Sequence, residues 1–347
     1  MISSDGSRQM RDDGAGLGHV LDGLVGPVLI VSTKVGRGMY SLGQALEERL
    51  RHRLPCIHIA IEDYLPARAV AEDLRRYKFI SNHFKILLNL VYKIPFFYWR
   101  KYVRESALGS RGLHKLRDVI LSSGTQTVIC VSHRPAFWVS KLKQQEGLHF
   151  KLWGLLGEYG KNLGWRYQFW DQIDGFMSPV AKEEIGISLP AHVDLVPIQL
   201  PSRLAYEEIA GTACHARDVL LICGLWGQGP FVRLVWEIRR ALPAVRCHVV
   251  FGENHFAERL LRSLFPHDQE LRVYGVVDSL VPLLRTSRAI VTKPGISTLI
   301  EAHAARRKIF LVPGMPVAEA NNARYALQHF QAEWFTAENL RRYYESQ

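Results

Sequence analysis

Thr292-Lys-Pro-Gly-Ile-Ser-Thr-Leu-Ile-Glu301, then the apolar run Ile309–Val312, then Pro313-Gly-Met-Pro-Val-Ala-Glu-Ala-Asn-Asn322: the fold reading turns on this stretch. Arg288-Ala-Ile-Val-Thr292 reads as a buried strand, and Ser297 and Thr298 as the opening of a helix that carries Glu301. Lys293-Pro-Gly295 lies between them, and a glycine at a strand-to-helix turn lets the backbone approach a ligand closely. The N–H groups of the first helical turn then form an anion site, with Ser and Thr hydroxyls beside it. Glu301 follows one turn later, within reach of a neutral hydroxyl next to a bound phosphate. The pattern suits a nucleoside diphosphate sugar, with phosphates on the turn and ribose on the carboxylate. An ordinary strand–glycine–helix connection with a capping serine has the same local sequence, so the neighbouring segments decide.

Those neighbours repeat the pattern. Pro27-Val-Leu-Ile-Val-Ser-Thr33 is a short apolar run suited to a buried parallel strand. It feeds Lys34-Val-Gly36-Arg-Gly38-Met39 and then a helix, Ser41–Arg53, whose Leu42, Ala45, Leu46 and Leu50 share one face. The glycine pair is too short for the dinucleotide fingerprint and is weak as a motif. Further strands are read at Cys56–Ile61, Thr127–Ser132, Lys151–Leu156 and Asp174–Ser178. His133-Arg-Pro135 and Gly157-Glu158-Tyr159 follow two of these strands, where open α/β sheets put their ligand-facing groups. A histidine at a strand end is also a common structural feature.

Between Val193 and Leu204 the texture changes to Pro197, Pro201 and Ser202, which reads as an interdomain crossing. A second series begins with Val219-Leu-Leu-Ile-Cys223, the turn Gly224-Leu-Trp-Gly-Gln-Gly229 and a helix from Pro230 to Leu242. Cys247–Phe251 leads to Gly252-Glu-Asn254, Leu271–Tyr274 leads to Gly275-Val-Val-Asp278, and the opening stretch comes next. Two β/α series, each starting with strand, glycine turn and helix, predict two Rossmann-like domains facing a cleft.

Composition narrows the functional classes. The 347 residues are 48% hydrophobic with a net charge of +11, which describes a folded protein that meets anionic partners. No nucleic-acid module is visible, so an anionic substrate or an anionic membrane surface is the expectation. The residues His83–Arg104 interleave Phe84, Phe96, Phe97, Tyr98 and Trp99 with Lys85, Lys93, Arg100 and Lys101. That segment suits the bilayer interface, and it equally suits a pair of packed helices broken at Pro95. No run of 18 apolar residues is present, so nothing is expected to span a bilayer. The five cysteines, Cys56, Cys130, Cys214, Cys223 and Cys247, are scattered through strand-like runs. They form neither a disulfide framework nor a metal spacing, and a reducing cytosol is expected. Met1–Gly18 has no apolar signal region and reads as a disordered tail.

The order of these pieces resembles the GT-B glycosyltransferases that make monogalactosyl- and glucosyl-diacylglycerol, glycosyltransferase family 28. More distantly it is similar to the N-acetylglucosaminyltransferase that completes lipid II. The resemblance runs from about Val28 to Leu327 and is strongest after Val219. It rests on Gly224–Gly229, on Phe251-Gly-Glu-Asn254, on Tyr274–Asp278, on Thr292–Gly295 with Thr298 and Glu301, and on Pro316, Glu319, Asn322 and Tyr325.

It implies a GT-B fold with a tail over 1–24, an acceptor-side domain over 25–200, a nucleotide-sugar domain over 201–330 and a helical segment over 331–347. It also implies a UDP-sugar donor. Backbone at Val276 and Val277 would hold uracil and Glu301 the ribose. Gly224, Gly227, Gly229, Lys293, Gly295, Ser297 and Thr298 would line the diphosphate, and Glu319 and Asn322 would face the sugar. Such enzymes invert the anomeric centre by direct displacement, with no metal and no resident cofactor. The implied acceptor is a lipid or lipid-linked hydroxyl at the cytoplasmic membrane face. A soluble natural product or nucleoside as acceptor, a silent UDP-sugar-binding protein, and a sugar-nucleotide epimerase of related fold are the alternatives.

The departures from the family pattern fall on the acceptor side. Where the family has "D-T-G-G-G-H", the loop here, with Gly36 and Gly38, ends in Met39, and a thioether takes no proton. Glu158, at the family's "TDF" position, and then His133, at its "HP", become the candidates for the base. Ile296 replaces a second glycine after Gly295, and Val317-Ala318 precedes Glu319 where a glutamine is usual, so the sugar is open.

Overall fold

The computed structural model describes residues 14–68, 70–72, 74, 75, 79, 110–211, 217–314 and 318–346. His83–Arg104, the aromatic and basic segment, lies outside these, as do residues 1–13 of the N-terminal tail. The described residues form two compact units.

The first unit contains residues 14–33, 42–68 and 110–201. Its strands are β1 (Val28–Ser32), β2 (Cys56–Ala60), β3 (Thr127–Val131), β4 (Lys151–Leu155), β5 (Gly175–Ser178) and β6 (Asp194–Pro197). They pair in parallel in the order β2-β1-β3-β4-β5-β6. β1 and β3 are buried along their whole length, which is why their sequences are unbroken apolar runs instead of alternating ones. Chain order reverses direction between β1 and β3, so the loops after these two strands flank the switch point where open α/β sheets bind ligands.

Two readings of this unit change. The tail expected to be disordered through residue 24 contains a helix, Gly14–Asp22, packed beside β6. Leu17, Val20, Leu21 and Leu24 are buried, a helical apolar face hidden in a Gly- and Asp-rich composition. The stretch read as an interdomain crossing from Val193 starts with β6 and leaves the first unit at Pro201. β6 is the edge of its sheet and half exposed, and an edge strand tolerates the terminal Pro197 that reads as a linker residue.

The described part of the second unit is residues 34–41, 71, 72, 74, 75, 79, 202–211, 217–314 and 318–346. Its strands are β7 (Asp218–Ile222), β8 (Cys247–Val250), β9 (Leu271–Tyr274), β10 (Ser287–Thr292), β11 (Lys308–Leu311) and β12 (Glu333–Trp334). They are parallel, in the order β12-β11-β10-β7-β8-β9. Taken from β9, that is third, second, first, fourth, fifth, sixth, the doubly wound order of dinucleotide-binding domains.

Alternate residues of β7 enter opposite layers. Val219 and Leu221 pack with Phe231, Val235, Ile238 and Leu340, and Leu220 and Ile222 pack with Leu284, Leu299, Ala302 and Ala326. The C-terminal helix, Ala337–Glu345, lies on the helix Phe231–Ala241. Cys130, Cys223 and Cys247 are buried and in no disulfide, and no helix of the described residues is long and apolar enough to cross a membrane. Two parallel, doubly wound units make this the α/β GT-B fold that the sequence predicts.

Candidate active site

In the second unit the loops after β7, β8 and β9 are laced together at the carboxyl edge of the sheet. Glu253 N donates to Leu225 O at 2.7 Å, and Gly252 N donates to Gly275 O at 3.2 Å. Asn254 Nδ2 donates to Gly227 O at 2.9 Å, while Asn254 Oδ1 caps the helix His255–Leu264. Gly224 and Gly227 have φ values of +76° and +57°, in the left-handed region that favours glycine. A Cβ on Gly229 would lie 2.5 Å from Cys223 Sγ. Val276 is exposed and Val277 half-buried in the loop that follows β9.

The switch point of this sheet lies between β7 and β10, and the turns that follow them meet there. A Cβ on Gly224 would stand 2.8 Å from Lys293 Cε. Lys293 Nζ in turn donates to Glu319 Oε1 at 2.6 Å, with both side chains nearly buried. Asn322, fully buried, donates its amide to Pro294 O at 3.3 Å and so braces the Lys-Pro-Gly turn. Gly295 precedes the helix Ile296–Ala304 without a side-chain cap on the first-turn N–H groups. Ser297 is half-buried and Thr298 buried in that first turn. The donor residues expected from Gly224 to Asn322 are therefore gathered at one edge of one sheet.

Glu301 sits at the centre of a polar network that sequence reading misses. Ser41 Oγ donates to Glu301 Oε1 at 2.8 Å, and Arg203 Nη2 lies 3.6 Å from the same oxygen. Arg203 also donates to Tyr206 OH at 2.7 Å and stacks over that ring. Burial pushes the Glu301 carboxyl above the ordinary carboxylate range, while Ser41, Arg203 and Tyr206 pull it back down. Arg203 follows Pro201 in what reads as linker, and Ser41 begins what reads as a plain amphipathic helix, so neither carries a local signal.

Residues 34–41 group with this second unit. Gly36 and Arg37 are left-handed, and a Cβ on Gly38 would lie 3.2 Å from Ile296 Cγ2. Ile296, the bulky departure in the Lys-Pro-Gly turn, thus packs where Gly38 leaves space. Met39 is the second residue of the helix Gly38–Leu50 and is half-buried.

In the first unit the loop after β4 links the two candidate bases. Asn162 Nδ2 donates to Glu158 Oε2 at 3.1 Å, and Gly164 N donates to Asn162 Oδ1 at 3.0 Å. Gly164 lies flat on the His133 ring, since a Cβ there would be 2.4 Å from His133 Cδ2. Trp165 meets the same ring edge-on at 6.5 Å between centroids. His133 opens the helix His133–Glu146, directly after Ser132, whose φ of +123° is a strained backbone for a non-glycine residue. Strain of that kind clusters at ligand sites, and Ser132 stands at the switch point of its sheet. Below it, Arg134 Nη1 lies 3.3 Å from Glu62 Oε1, and Thr33 Oγ1 donates to the same oxygen at 2.5 Å. These three buried residues come from the ends of β1, β2 and β3.

No family model matches the chain. A processive diacylglycerol beta-glucosyltransferase of Bacillus cereus is 23% identical over 310 residues, covering 86% of this chain and 79% of the relative. Among solved structures, MurG of Acinetobacter baumannii superposes with a TM-score of 0.53 at 12% identity, covering 92% of this chain and 90% of that one. The UDP-GlcNAc 2-epimerase of Neisseria meningitidis, bound to UDP-GlcNAc, reaches a TM-score of 0.52 at 10% identity, covering 92% and 90%. At these identities the structural likenesses establish the fold, which a transferase and an epimerase share.

Proposed function

We propose that this chain, GT-B in fold and similar along most of its length to diacylglycerol glucosyltransferases, is an inverting, UDP-sugar-dependent glycosyltransferase. Its acceptor is a lipid or lipid-linked hydroxyl at the cytoplasmic membrane face. The observation that carries the reading is the meeting of the Gly224 and Lys293–Gly295 turns at the switch point, with Glu301, Glu319 and Asn322 around them.

In this reading the uracil lies against the backbone at Val276 and Val277, and the ribose hydroxyls reach Glu301. The diphosphate lies on the uncapped helix at Gly295 and on the turn Gly224–Gly229, with Glu319 and Asn322 at the sugar end. Glu158 takes the proton of the acceptor hydroxyl, and His133, packed beneath the same loop, is the second candidate for that role. The acceptor oxygen attacks the anomeric carbon as the bond to the diphosphate oxygen breaks. The charge left on UDP is met by the first-turn N–H groups of Ile296–Ala304 and by Lys293. An epimerase is less favoured because the matched motifs are those of transferases.

The test is a panel of UDP-sugars scored by thermal stabilisation and by release of UDP, with and without diacylglycerol vesicles. Stabilisation by one UDP-sugar, together with UDP release that vesicles increase, is the expected result. Absence of both stabilisation and release across the panel removes the proposal. Stabilisation without release under any acceptor condition identifies a silent binding protein.

A further inference from the structure

We propose that the outer helical layer of the second unit docks this protein on an anionic lipid bilayer, through the helices Phe231–Ala241 and His255–Leu264. On His255–Leu264, Phe256, Leu260 and Leu264 recur every fourth residue and are 73%, 40% and 52% exposed. That spacing makes one apolar stripe along the solvent side of the helix, while Leu261 alone is fully buried on the core side. A neighbouring helix of the same layer, Phe231–Ala241, turns Arg233, Trp236 and Arg240 outward at positions three and seven apart. Trp236 is 53% exposed, with the Arg240 guanidinium 5.3 Å over its ring.

The charges beside these side chains select the occupant. Glu237 is paired with Arg233 and Glu258 with Arg262, and among the described residues no carboxylate pairs with Arg240 or Arg259. The face therefore presents two large aromatics, Trp236 and Phe256, two exposed leucines and unbalanced guanidinium groups, on a chain of net charge +11. Aromatic side chains and arginines also occur at protein interfaces, and what selects a bilayer is the excess of guanidinium groups over carboxylates beside an apolar stripe, which matches the acyl boundary and the phosphates above it. The apolar stripe also starts in the first turn of a helix that Asn254 caps, and Asn254 belongs to the laced loops of the candidate donor site. Docking on this face brings those loops to the bilayer surface. The choice of a bilayer over a protein rests in part on the lipid-acceptor reading, and the exposed face itself does not.

A fluorophore on the full-length chain tests it, attached through S263C, an exposed position on the same helix. The probe is an environment-sensitive label, read against phosphatidylglycerol vesicles, phosphatidylcholine vesicles and buffer, with the unsubstituted chain labelled in parallel. The expected result is a blue-shifted signal on phosphatidylglycerol, quenched by a lipid-phase quencher, weakened by salt and absent on phosphatidylcholine. F256S/L260S should lower partition into phosphatidylglycerol vesicles by about tenfold or more, with stabilisation by a UDP-sugar unchanged. The proposal is overturned if the protein cosediments with vesicles while the label stays in water, or if no binding occurs. It is equally overturned if the shift follows protein concentration without vesicles, which marks an interface between copies. Donor binding is read separately, so loss of the docking idea leaves the donor site standing.

Discussion

Lys293 Nζ and Glu319 Oε1 lie 2.6 Å apart, an almost buried ion pair that ties the turn after β10 to the helix Ala318–His329. Removing one member of a buried pair takes a charge partner from the other, at a cost of up to about 3–5 kcal/mol. K293M is therefore expected to lower the unfolding free energy by an amount in that range, and E319Q by less, because the lysine stem reaches towards solvent more readily. The double variant K293M/E319Q should recover much of the K293M loss. Denaturant titration of the four proteins measures the cycle. Additive losses would mean that the two groups do not act as a pair.

Glu301 gives a pH dependence of definite sign. Its folded-state carboxyl is raised above the ordinary value of 4.5, chiefly by burial. A raised carboxyl contributes stability while protonated, below the unfolded-state value, and loses it as pH rises through the folded-state value. E301Q, which stays neutral, should gain in relative stability from about pH 4 towards neutrality. Its affinity for a UDP-sugar should fall by roughly tenfold to a hundredfold, the loss of a hydrogen bond to a charged acceptor. Melting curves against pH and a donor titration at neutral pH check the two halves separately. A wild type that gained on E301Q with rising pH would reverse the sign argued here.

Gly224 has φ +76° and a Cβ there would press on Lys293 Cε. G224A combines a left-handed alanine, costing about 1 kcal/mol or more, with displacement of the lysine from the turn. The expected outcome is a modest fall in melting temperature and a larger fall in donor affinity. Equal donor affinity in G224A and the parent would separate the two turns functionally.

These positions show what the sequence could carry and what it could not. Strand–glycine–helix units announce themselves locally, because a buried parallel strand is an apolar run and the turn after it needs small residues. Gly224 and Gly295 were legible for that reason, as was the doubly wound architecture, whereas Glu319 was named only through the family resemblance. Ser41 and Arg203 were not, because each acquires its meaning only from Glu301, more than a hundred residues away in Ser41's case by the separation of 260. Ser132 was invisible for a different reason, since backbone strain leaves no trace in residue type. The helix Gly14–Asp22 and the strand β6 were hidden by composition: glycine and aspartate masked one, proline the other.

The proposed acceptor chemistry yields the sharpest test, because the family resemblance leads one to expect a base where Met39 stands, and Glu158 is the base proposed in its place. E158Q keeps the shape and the hydrogen bond from Asn162 but removes basicity. Loss of a general base costs about a hundredfold to ten-thousandfold in rate. E158Q should therefore lower kcat within that range while a UDP-sugar still stabilises the protein as it does the parent. N162A should lower kcat less and shift the pH–rate profile, since it removes one hydrogen bond from the Glu158 carboxylate without deleting it. H133A, which removes the ring on which Gly164 rests, should disturb the loop and raise the KM for the acceptor along with lowering kcat. Steady-state kinetics of the three variants with the donor found active distinguish these outcomes. If E158Q keeps parental kcat and H133A alone abolishes turnover with acceptor KM unchanged, the histidine is the base and Glu158 is a loop residue.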